Sequence, residues 1–256
     1  MTLACDVTGE GPAVVLIHST ACDRRMWDPQ LPALVAAGRR VVRLDLRGFG
    51  RTPMPDRPYN EAQDVADLMD RLGVGRAALV ASSGGGQVAQ EVAARWPARV
   101  TALVLLCTAL RGHEPGPELR AFGEREDELL DAGDLDGATE LNVATWLGPV
   151  ADAATREKLR LMQRHAFEVQ LAAADDEPDA IEVDYDLTAI TAPTLLVSGS
   201  HDLPDFRLIA AELAGRLAGA AHVEHVELPW AGHLPSMERP EALNPVLVDF
   251  LRRTPV

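Results

Sequence analysis

The sequence has few cysteines and no long hydrophobic run, and both shortages argue against whole classes of protein. Its 256 residues include only three cysteines, Cys5, Cys22 and Cys107, without CxxC or other metal-ligand spacing. Neither a disulfide framework nor a zinc knuckle is therefore expected. The longest apolar runs, such as Ala78–Ala81 and Ala102–Leu106, are far shorter than a membrane span. The first residues lack the basic start and apolar segment of a signal peptide, so we expect a cytoplasmic protein.

Positive charge is also scarce. The chain has 24 basic residues, of which only Lys158 is a lysine, against 39 acidic residues, and its formal net charge is −15. A surface of this sign repels nucleic-acid phosphates and anionic lipid headgroups. We therefore expect neither nucleic acid nor a membrane as a partner. The expected partner is a small-molecule substrate, bound by a monomer or a homodimer.

Hydrophobic residues make up 47% of the chain and occur in runs that alternate with helical patterns. The runs are continuous in Val, Leu and Ile, which is typical of parallel strands buried on both faces. They are Ala13–His18, Val41–Asp45, Ala77–Ala81, Val100–Cys107, Thr194–Ser198 and His222–Leu228. Helical patterns follow at Asn60–Leu72, Gly85–Trp96, Asp205–Leu217 and Pro240–Arg253. This order predicts an α/β fold with a mostly parallel, doubly wound sheet, whose ligands bind beyond the carboxyl ends of the strands.

The alternation stops between residues 113 and 186. This segment has helical patterns at Glu118–Ala132, Ala138–Trp146 and Ala154–Leu171 and no strand-like run. Its 20 acidic and 6 basic residues give it a net charge of −14, which leaves −1 for the rest of the chain. We interpret residues 113–186 as a helical cap inserted into a core formed by residues 1–112 and 187–256.

The strongest local motif is Leu79-Val-Ala-Ser-Ser-Gly-Gly-Gly86, which lies between a predicted strand and a predicted helix. A nucleophile on a sharp strand-to-helix turn needs small residues two positions before and after it, because the backbone is crowded there. Ser83 has Ala81 and Gly85 at these positions, whereas Ser82 would have Val80 at the first. Ser83 is therefore the candidate nucleophile. The alternative is a glycine-rich phosphate loop, but the motif lacks the lysine of a P-loop.

A nucleophilic serine needs a base and a carboxylate that orients the base. Asp202 follows one predicted strand in Gly199-Ser-His-Asp202, and His233 follows the next in Ala231-Gly-His233. Both lie at strand carboxyl ends, at the same sheet edge as Ser83, and the order Ser, Asp, His is the one expected of this topology. If Asp202 did not serve, Asp45 and Asp205 would be the next candidates.

Acyl chemistry also needs hydrogen-bond donors for the developing oxyanion. One donor is expected from the backbone N–H of Gly84, directly after the nucleophile. The other is expected from the loop after the first predicted strand, where Thr20 is our choice. His18 in the same loop could act as a second base, but a role in bracing the loop is the favoured interpretation.

The chain resembles serine hydrolases of the α/β-hydrolase fold over nearly its whole length. The resemblance is carried by Leu16-Ile-His18, Asp45-Leu-Arg-Gly-Phe-Gly-Arg-Thr52, Ala81-Ser-Ser83-Gly-Gly85, Gly199-Ser-His-Asp202 and Ala231-Gly-His-Leu-Pro-Ser-Met-Glu-Arg-Pro240. Within that superfamily, Met26-Trp-Asp-Pro-Gln-Leu-Pro-Ala33 and Ala144-Thr-Trp146-Leu-Gly-Pro149 are similar to 3-oxoadipate enol-lactonases and their relatives. The usual His-Gly of the oxyanion loop is His18-Ser19 here.

The inserted cap is where an apolar pocket wall would come from. We predict that Ser19, Phe122, Trp146 and Phe167 line the substrate pocket. An enol-lactone with two carboxylates would enter against the field of the acidic cap. One of the arginines Arg120, Arg160 or Arg164 would have to point inward to favour it.

Two other features have weaker functional interpretations. His222 and His225 could be a metal pair, but a spacing of three along a strand puts side chains on opposite faces. Cys22 could be a reactive thiol, although a small buried filler fits its position as well. We therefore expect no metal and no cofactor.

These features predict an esterase or lactonase with the triad Ser83, His233 and Asp202, acting through an acyl-enzyme on a small, neutral and largely apolar substrate. The alternatives are an enol-lactonase, a C–C bond hydrolase on a β-diketone-like compound, a cofactor-free perhydrolase of the haloperoxidase type, and a ligand receptor that binds without turnover. A serine nucleophile disfavours epoxide hydrolysis and haloalkane dehalogenation, which need a carboxylate there.

Overall fold

The computed structural model describes residues 2–173 and 180–254. Its strands are β1 (Cys5–Thr8), β2 (Ala13–Ile17), β3 (Arg40–Leu44), β4 (Ala77–Ser82), β5 (Val100–Leu106), β6 (Thr194–Gly199) and β7 (Val223–Leu228). Its helices are α1 (Leu31–Ala36), α2 (Glu61–Arg71), α3 (Gly84–Arg95), α4 (Pro117–Asp131), α5 (Leu135–Trp146), α6 (Ala153–Leu171), α7 (Pro204–Arg216), α8 (Pro235–Glu238) and α9 (Pro240–Arg253). Within these ranges, no helix has the length and apolar character needed to cross a bilayer.

The strands form one sheet in the order β1-β3-β2-β4-β5-β6-β7, in which only the β1–β3 pair is antiparallel. The predicted α/β-hydrolase fold with a mostly parallel sheet is thus confirmed. Every residue of β4 and β6 is buried, which explains their uninterrupted apolar sequences. Strand β7 is at the edge and is only partly buried. Strand β1 was missed, because it is a four-residue edge strand with mixed polarity.

The chain changes direction in the sheet between β2 and β4. Strand β3 pairs on one side of β2 and β4 on the other, so the loops after β2 and β4 leave the sheet side by side. The register places Ile17 opposite Ala81, at the ends of these two strands. Such a switch point opens a crevice at the carboxyl edge of an α/β sheet. The loops that follow β6 and β7 leave at the same edge.

Helices α4, α5 and α6 occupy the segment that the sequence predicts to be a cap. Helix α5 contacts both α4 and α6. The far end of the segment returns to the core at Ile181, whose N–H donates to the Tyr59 carbonyl at 2.6 Å. The division into residues 113–186 and the two core segments remains a prediction, because the structure shows where the helices lie without separating them as a domain.

Candidate active site

Ser83 lies at the turn from β4 into α3 and has an unusual backbone conformation. Its φ of 53° and ψ of −124° are unfavourable for a residue with a side chain. Hydrogen bonds hold the turn in place: the Ser83 N–H donates to the Leu106 carbonyl at 3.0 Å, and the Ser83 carbonyl accepts from Gly86 N–H at 2.9 Å and Ala109 N–H at 3.0 Å. A strained serine on such a turn exposes its hydroxyl above the sheet edge.

The small residues around Ser83 are required by the approach of the β2 loop. A Cβ on Gly85 would lie 2.2 Å from the His18 carbonyl oxygen, so no larger residue fits without moving the backbone. Ser82, the alternative nucleophile, ends β4 and is fully buried, and its Oγ has no hydrogen-bond partner within the described ranges. Ser83 rather than Ser82 lines the cavity at this edge.

His233 and Asp202 form a buried pair. The Nδ1 of His233 lies 2.8 Å from Oδ2 of Asp202, and both side chains are almost completely inaccessible. The other carboxylate oxygen of Asp202 accepts the N–H of Leu203 at 2.7 Å. Because a carboxylate accepts hydrogen bonds, Nδ1 is the protonated nitrogen and Nε2 is left free to accept a proton. Asp202 therefore sets both the orientation and the tautomer of the imidazole.

Two aromatic rings hold the His233 imidazole from the side. The centroid of Phe206 lies 4.1 Å and that of Trp146 4.6 Å from the imidazole centroid. The backbone N–H of His233 also donates to the Trp146 carbonyl at 3.0 Å, so the end of α5 is attached directly to the histidine loop. Phe206 was not identified from the sequence, although it follows Asp202 by only four positions, at the start of α7.

Glu238 anchors the loop that carries His233. Its carboxylate accepts the Gly232 N–H at 3.0 Å and the Leu234 N–H at 3.2 Å, on either side of the histidine. Burial raises the pKa of Glu238, and hydrogen bonds from Gly232, Gly148 and Leu234 oppose that shift. Glu238 stands in the motif Ala231-Gly-His-Leu-Pro-Ser-Met-Glu, so its spacing from His233 was the available signal for this role.

Thr20 and Gly84, the two residues predicted to supply the oxyanion donors, lie next to each other. A Cβ on Gly84 would be 2.6 Å from Cγ2 of Thr20. The Gly84 N–H is at the start of α3 and has no acceptor inside the helix. Of the residues placed by the structure, none accepts the Thr20 N–H. In contrast, the Ser19 N–H points to the Met26 sulfur at 3.3 Å, which favours Thr20 over Ser19 as the donor.

The contacts of His18 fit a role in bracing the loop after β2 rather than the role of a second base. It is fully buried, its Nδ1 lies 2.8 Å from the Ser19 carbonyl oxygen, and its Nε2 accepts the Leu46 N–H at 2.9 Å. Burial lowers its pKa and so keeps the ring neutral. Nε2 thus joins the β2 loop to the loop after β3, while Nδ1 contacts the backbone of the β2 loop itself.

A cavity of about 350 Å³ joins these groups. The predicted residues Ser19, Thr20, Ser83, Gly84, Phe122, Trp146, Phe167 and His233 all line it. Other lining residues were not identified from the sequence: Ala21, Phe49, Ala109, Leu119, Glu126, Asn142, Gln163, Gln170 and Phe206. Gln163, Phe167 and Gln170 have the spacing of one helix face, but that pattern alone does not tell which face of α6 looks inward.

The other acidic candidates, Asp45 and Asp205, form hydrogen bonds with groups other than His233. Asp45 is fully buried and accepts the N–H groups of Arg24 and Arg51 at 2.8 and 2.9 Å. Asp205 accepts the Gly116 N–H at 2.6 Å and lies 2.8 Å from Nε2 of His113. Burial alone would raise the pKa of Asp205, but these hydrogen bonds lower it.

The residues considered as a metal pair, His222 and His225, and as a reactive thiol, Cys22, have contacts or burial that explain their presence without such a role. His225 pairs with Ser198 Oγ at 2.9 Å and His222 with Glu224 at 3.1 Å, so the two histidines have different partners. Cys22 is fully buried, and burial raises its pKa. Ligand atoms of Cys107, Asp202 and His233 lie within 4.8 Å of one another. Burial also raises the pKa of Cys107 well above its ordinary value, which disfavours the thiolate that a metal would need.

No arginine or lysine side chain from the described part of the chain lines the cavity. Arg160 pairs with Glu140 and with Glu157, the latter at 2.5 Å, and Arg164 pairs with Asp136 and Glu168. Arg120 donates to the Pro115 carbonyl at 2.9 Å in an exposed position. The three cap arginines therefore do not supply the inward positive charge that an anionic substrate would need. The acidic run Asp175, Asp176 and Glu177 lies outside the described residues.

Comparison with known proteins agrees with this geometry. Residues 14–246 match the Alpha/beta hydrolase family. The RutD protein of Variovorax paradoxus, a carbamate hydrolase by its assigned name, is 33% identical over 99% of this chain and 97% of its own. The structure of an enol-lactonase from Burkholderia xenovorans has a TM-score of 0.80 at 28% identity and covers 98% of this chain and 96% of its own. A thermophilic esterase from Thermogutta terrifontis has a TM-score of 0.77 at 29% identity, with 98% and 93% covered.

We expect Glu238→Gln to destabilise the protein by about 2 kcal/mol, because an amide cannot accept from all the backbone N–H groups that the carboxylate serves. Glu241→Gln is the matched control, since Glu241 is exposed and pairs only with Arg239 on the surface. Urea unfolding followed by circular dichroism measures both free energies. Equal and small losses in the two variants would mean that Glu238 does not anchor the histidine loop.

Proposed function

Because the chain belongs to the α/β-hydrolase family, we propose that it is a serine hydrolase that cleaves a carboxylic ester or lactone of a small, neutral and largely apolar substrate. The observation that carries this proposal is that Ser83, on a strained turn, lines one cavity with His233, whose imidazole is paired with the buried Asp202 behind it. A receptor that binds without turnover would need neither the strained turn nor an oriented imidazole.

In the first half of the proposed reaction, the Ser83 hydroxyl oxygen attacks the substrate carbonyl carbon while its proton passes to Nε2 of His233. The carbonyl oxygen becomes an oxyanion, for which the N–H groups of Thr20 and Gly84 are the available donors. Asp202 stabilises the imidazolium that forms. When the tetrahedral intermediate collapses, the bond to the alcohol oxygen breaks, and that oxygen takes the proton from His233.

In the second half, water replaces the alcohol. His233 Nε2 takes a proton from the water, and the resulting hydroxide attacks the acyl carbon bound to Ser83. The second tetrahedral intermediate uses the same pair of N–H donors. Its collapse returns the proton to Ser83 Oγ and releases the carboxylic acid, so the protein ends in its starting state.

The cavity lining favours a neutral substrate. Esters, lactones and carbamates share a carbonyl carbon bonded to oxygen, so the carbamate hydrolase and enol-lactonase relatives fit the same chemistry. Five aromatic and three aliphatic residues give the lining apolar surface among its polar groups, and no arginine or lysine side chain from the residues that the structure places lines the cavity. A lactone with two carboxylates would therefore lack a partner for its charges, which ranks enol-lactone hydrolysis below the cleavage of a neutral ester or lactone.

Ser83→Ala should abolish ester turnover, whereas Ser82→Ala should keep activity within about threefold of wild type, because Ser82 is a buried core residue. Hydrolysis of p-nitrophenyl butyrate measures both. A fluorophosphonate probe followed by peptide mass spectrometry should label Ser83 in the wild type. Labelling of Ser82, or full activity of Ser83→Ala, would refute the assignment.

Asp202→Asn should preserve the fold and lower kcat by about 10³–10⁴, because an amide in place of the carboxylate no longer holds Nδ1 as the protonated nitrogen. Asp205→Asn serves as the control, since Asp205 is bonded to His113 and Gly116 rather than to the triad histidine. Steady-state kinetics and circular dichroism on both variants test this. A loss below tenfold in Asp202→Asn would mean that another carboxylate orients His233.

The acidic cap should also make hydrolysis depend on substrate charge. We expect p-nitrophenyl pentanoate to have a kcat/KM at least about tenfold above that of mono-p-nitrophenyl succinate at 0.01 M salt, because a negative field slows the approach of an anion. The gap should shrink towards 1 M salt as the Debye length contracts from about 30 Å to about 3 Å. If a dicarboxylate enol-lactone is the best substrate at low salt, this electrostatic argument is wrong.

A further inference from the structure

Gln163 presents an unsatisfied polar group at the catalytic cavity. It lies on α6, lines the cavity and is only 4% exposed. Its carboxamide oxygen is buried and has no hydrogen-bond partner among the residues that the structure describes. Buried polar groups are normally paired, because an unpaired group keeps the full cost of its desolvation. A side chain left in this state next to a cavity points to a ligand group as its missing partner.

A second polar group from the cap lines the same cavity, and its orientation is controlled. Asn142 accepts the indole N–H of Trp146 at 2.7 Å and donates both to the Ala138 carbonyl at 3.0 Å and to Oε1 of Glu126. Asn142 is thereby satisfied and holds the Glu126 carboxylate in place. The described residues provide no donor for the second carboxylate oxygen of Glu126. Burial raises the pKa of Glu126, against the opposing hydrogen bond from Asn142.

The surroundings of these groups make them selective. Leu119, Phe122 and Phe167 from the same cap helices line the cavity with apolar surface. A purely apolar substrate would bury Gln163 and Glu126 without giving either a partner. A substrate that carries one hydrogen-bonding group at this place would satisfy them, and a site built to bond such a group rejects an analogue that lacks it.

We propose that Gln163 and Glu126 form a subsite for a hydrogen-bond donor, an N–H or O–H group, carried by the substrate away from the carbonyl that is attacked. This proposal rests on the proposed function for the position of that carbonyl and narrows its substrate class. The preferred substrate is thus an ester or lactone with a mostly apolar body and one hydroxyl or amide N–H group, and an ammonium group, which would make the substrate a cation, is an outcome that the test distinguishes.

The test compares two esters that differ in one group. The p-nitrophenyl ester of N-acetylglycine has an N–H where the p-nitrophenyl ester of 4-oxopentanoic acid has a CH₂. We expect the ratio of their kcat/KM values, N–H over CH₂ and corrected for uncatalysed hydrolysis, to be about three to ten for the wild type. Gln163→Met, which keeps the side-chain length, should bring the ratio to about one. Gln63→Met, at an exposed glutamine of α2, should leave it unchanged.

The carboxylate is tested separately. Glu126→Gln should lower the ratio at least about twofold, because a charged acceptor is replaced by a neutral one. Glu128→Gln removes the same charge from an exposed position of the same helix, where Glu128 pairs with Arg125, and should not change the ratio. The p-nitrophenyl ester of 6-aminohexanoate, set against that of hexanoate, tells whether the donor is an ammonium. A larger ratio for that pair, lost in Glu126→Gln alone, would assign a cationic group to the subsite.

Failure of the subsite and failure of the proposed function give different results. If both esters are hydrolysed at equal rates, or if Gln163→Met keeps the wild-type ratio, the subsite proposal is overturned and the hydrolase remains. If neither ester is hydrolysed, calorimetry on Ser83→Ala with methyl N-acetylglycinate and methyl 4-oxopentanoate measures the same preference as a ratio of Kd values. A three- to tenfold preference that disappears in Ser83→Ala/Gln163→Met would support the subsite without turnover, and equal Kd values would overturn it.

Discussion

The close approach of α3 to the loop after β2 is the constraint on which the rest of the site depends. Gly85 leaves so little space that a Cβ there would lie 2.2 Å from the His18 carbonyl oxygen, and Ser83 takes a positive φ to begin the helix at that point. The strain is offset by hydrogen bonds from neighbouring strands and by the packing of β4 in the centre of the sheet. Because the helix begins so close to the β2 loop, Gly84 and Thr20 line the same cavity as Ser83, the candidate nucleophile.

The second requirement is an imidazole that cannot rotate. Asp202 holds one ring nitrogen, the rings of Phe206 and Trp146 contact the side, and Glu238 fixes the backbone before and after His233. Trp146 belongs to the cap and accepts the backbone N–H of His233. The end of α5 is therefore attached directly to His233, so a change in α5 would alter the candidate base as well as the pocket wall. Fixing the base in this way removes reorganisation from the proton transfer.

The sequence predicts those parts of the fold and of the candidate site that are determined by residues close to each other along the chain. The buried parallel strands appear as continuous apolar runs, and the crowded turn at Ser83 requires small neighbours, so the sheet and the position of the candidate nucleophile can be inferred from neighbouring residues alone. Strand β1 cannot be predicted in this way, because it has only four residues, lies at the edge of the sheet and contains no buried residue and no apolar run. The lining residues Glu126, Asn142 and Gln163 could not be predicted for a different reason. They come from three helices, and only tertiary packing decides which face of each helix turns inward. The spacing of Glu238 from His233 was visible, but its role depends on loop hydrogen bonds that leave no pattern in the sequence.

Net charge and cavity chemistry act at different distances, and the two should not be confused. The acidic residues of the cap create a field that influences the approach of a charged molecule over about a Debye length. Once a substrate is inside, the groups within hydrogen-bonding distance decide its fit. Among these groups are one carboxylate whose pKa is raised by burial and one carboxamide whose oxygen has no partner among the described residues, set near aromatic side chains. A field that disfavours anions and a subsite that accepts hydrogen bonds would both select against carboxylates, and the proposed subsite alone would distinguish between two neutral molecules. Under this proposal, specificity within the neutral class would depend on a few polar atoms of α4 and α6 rather than on the net charge of residues 113–186 as a whole.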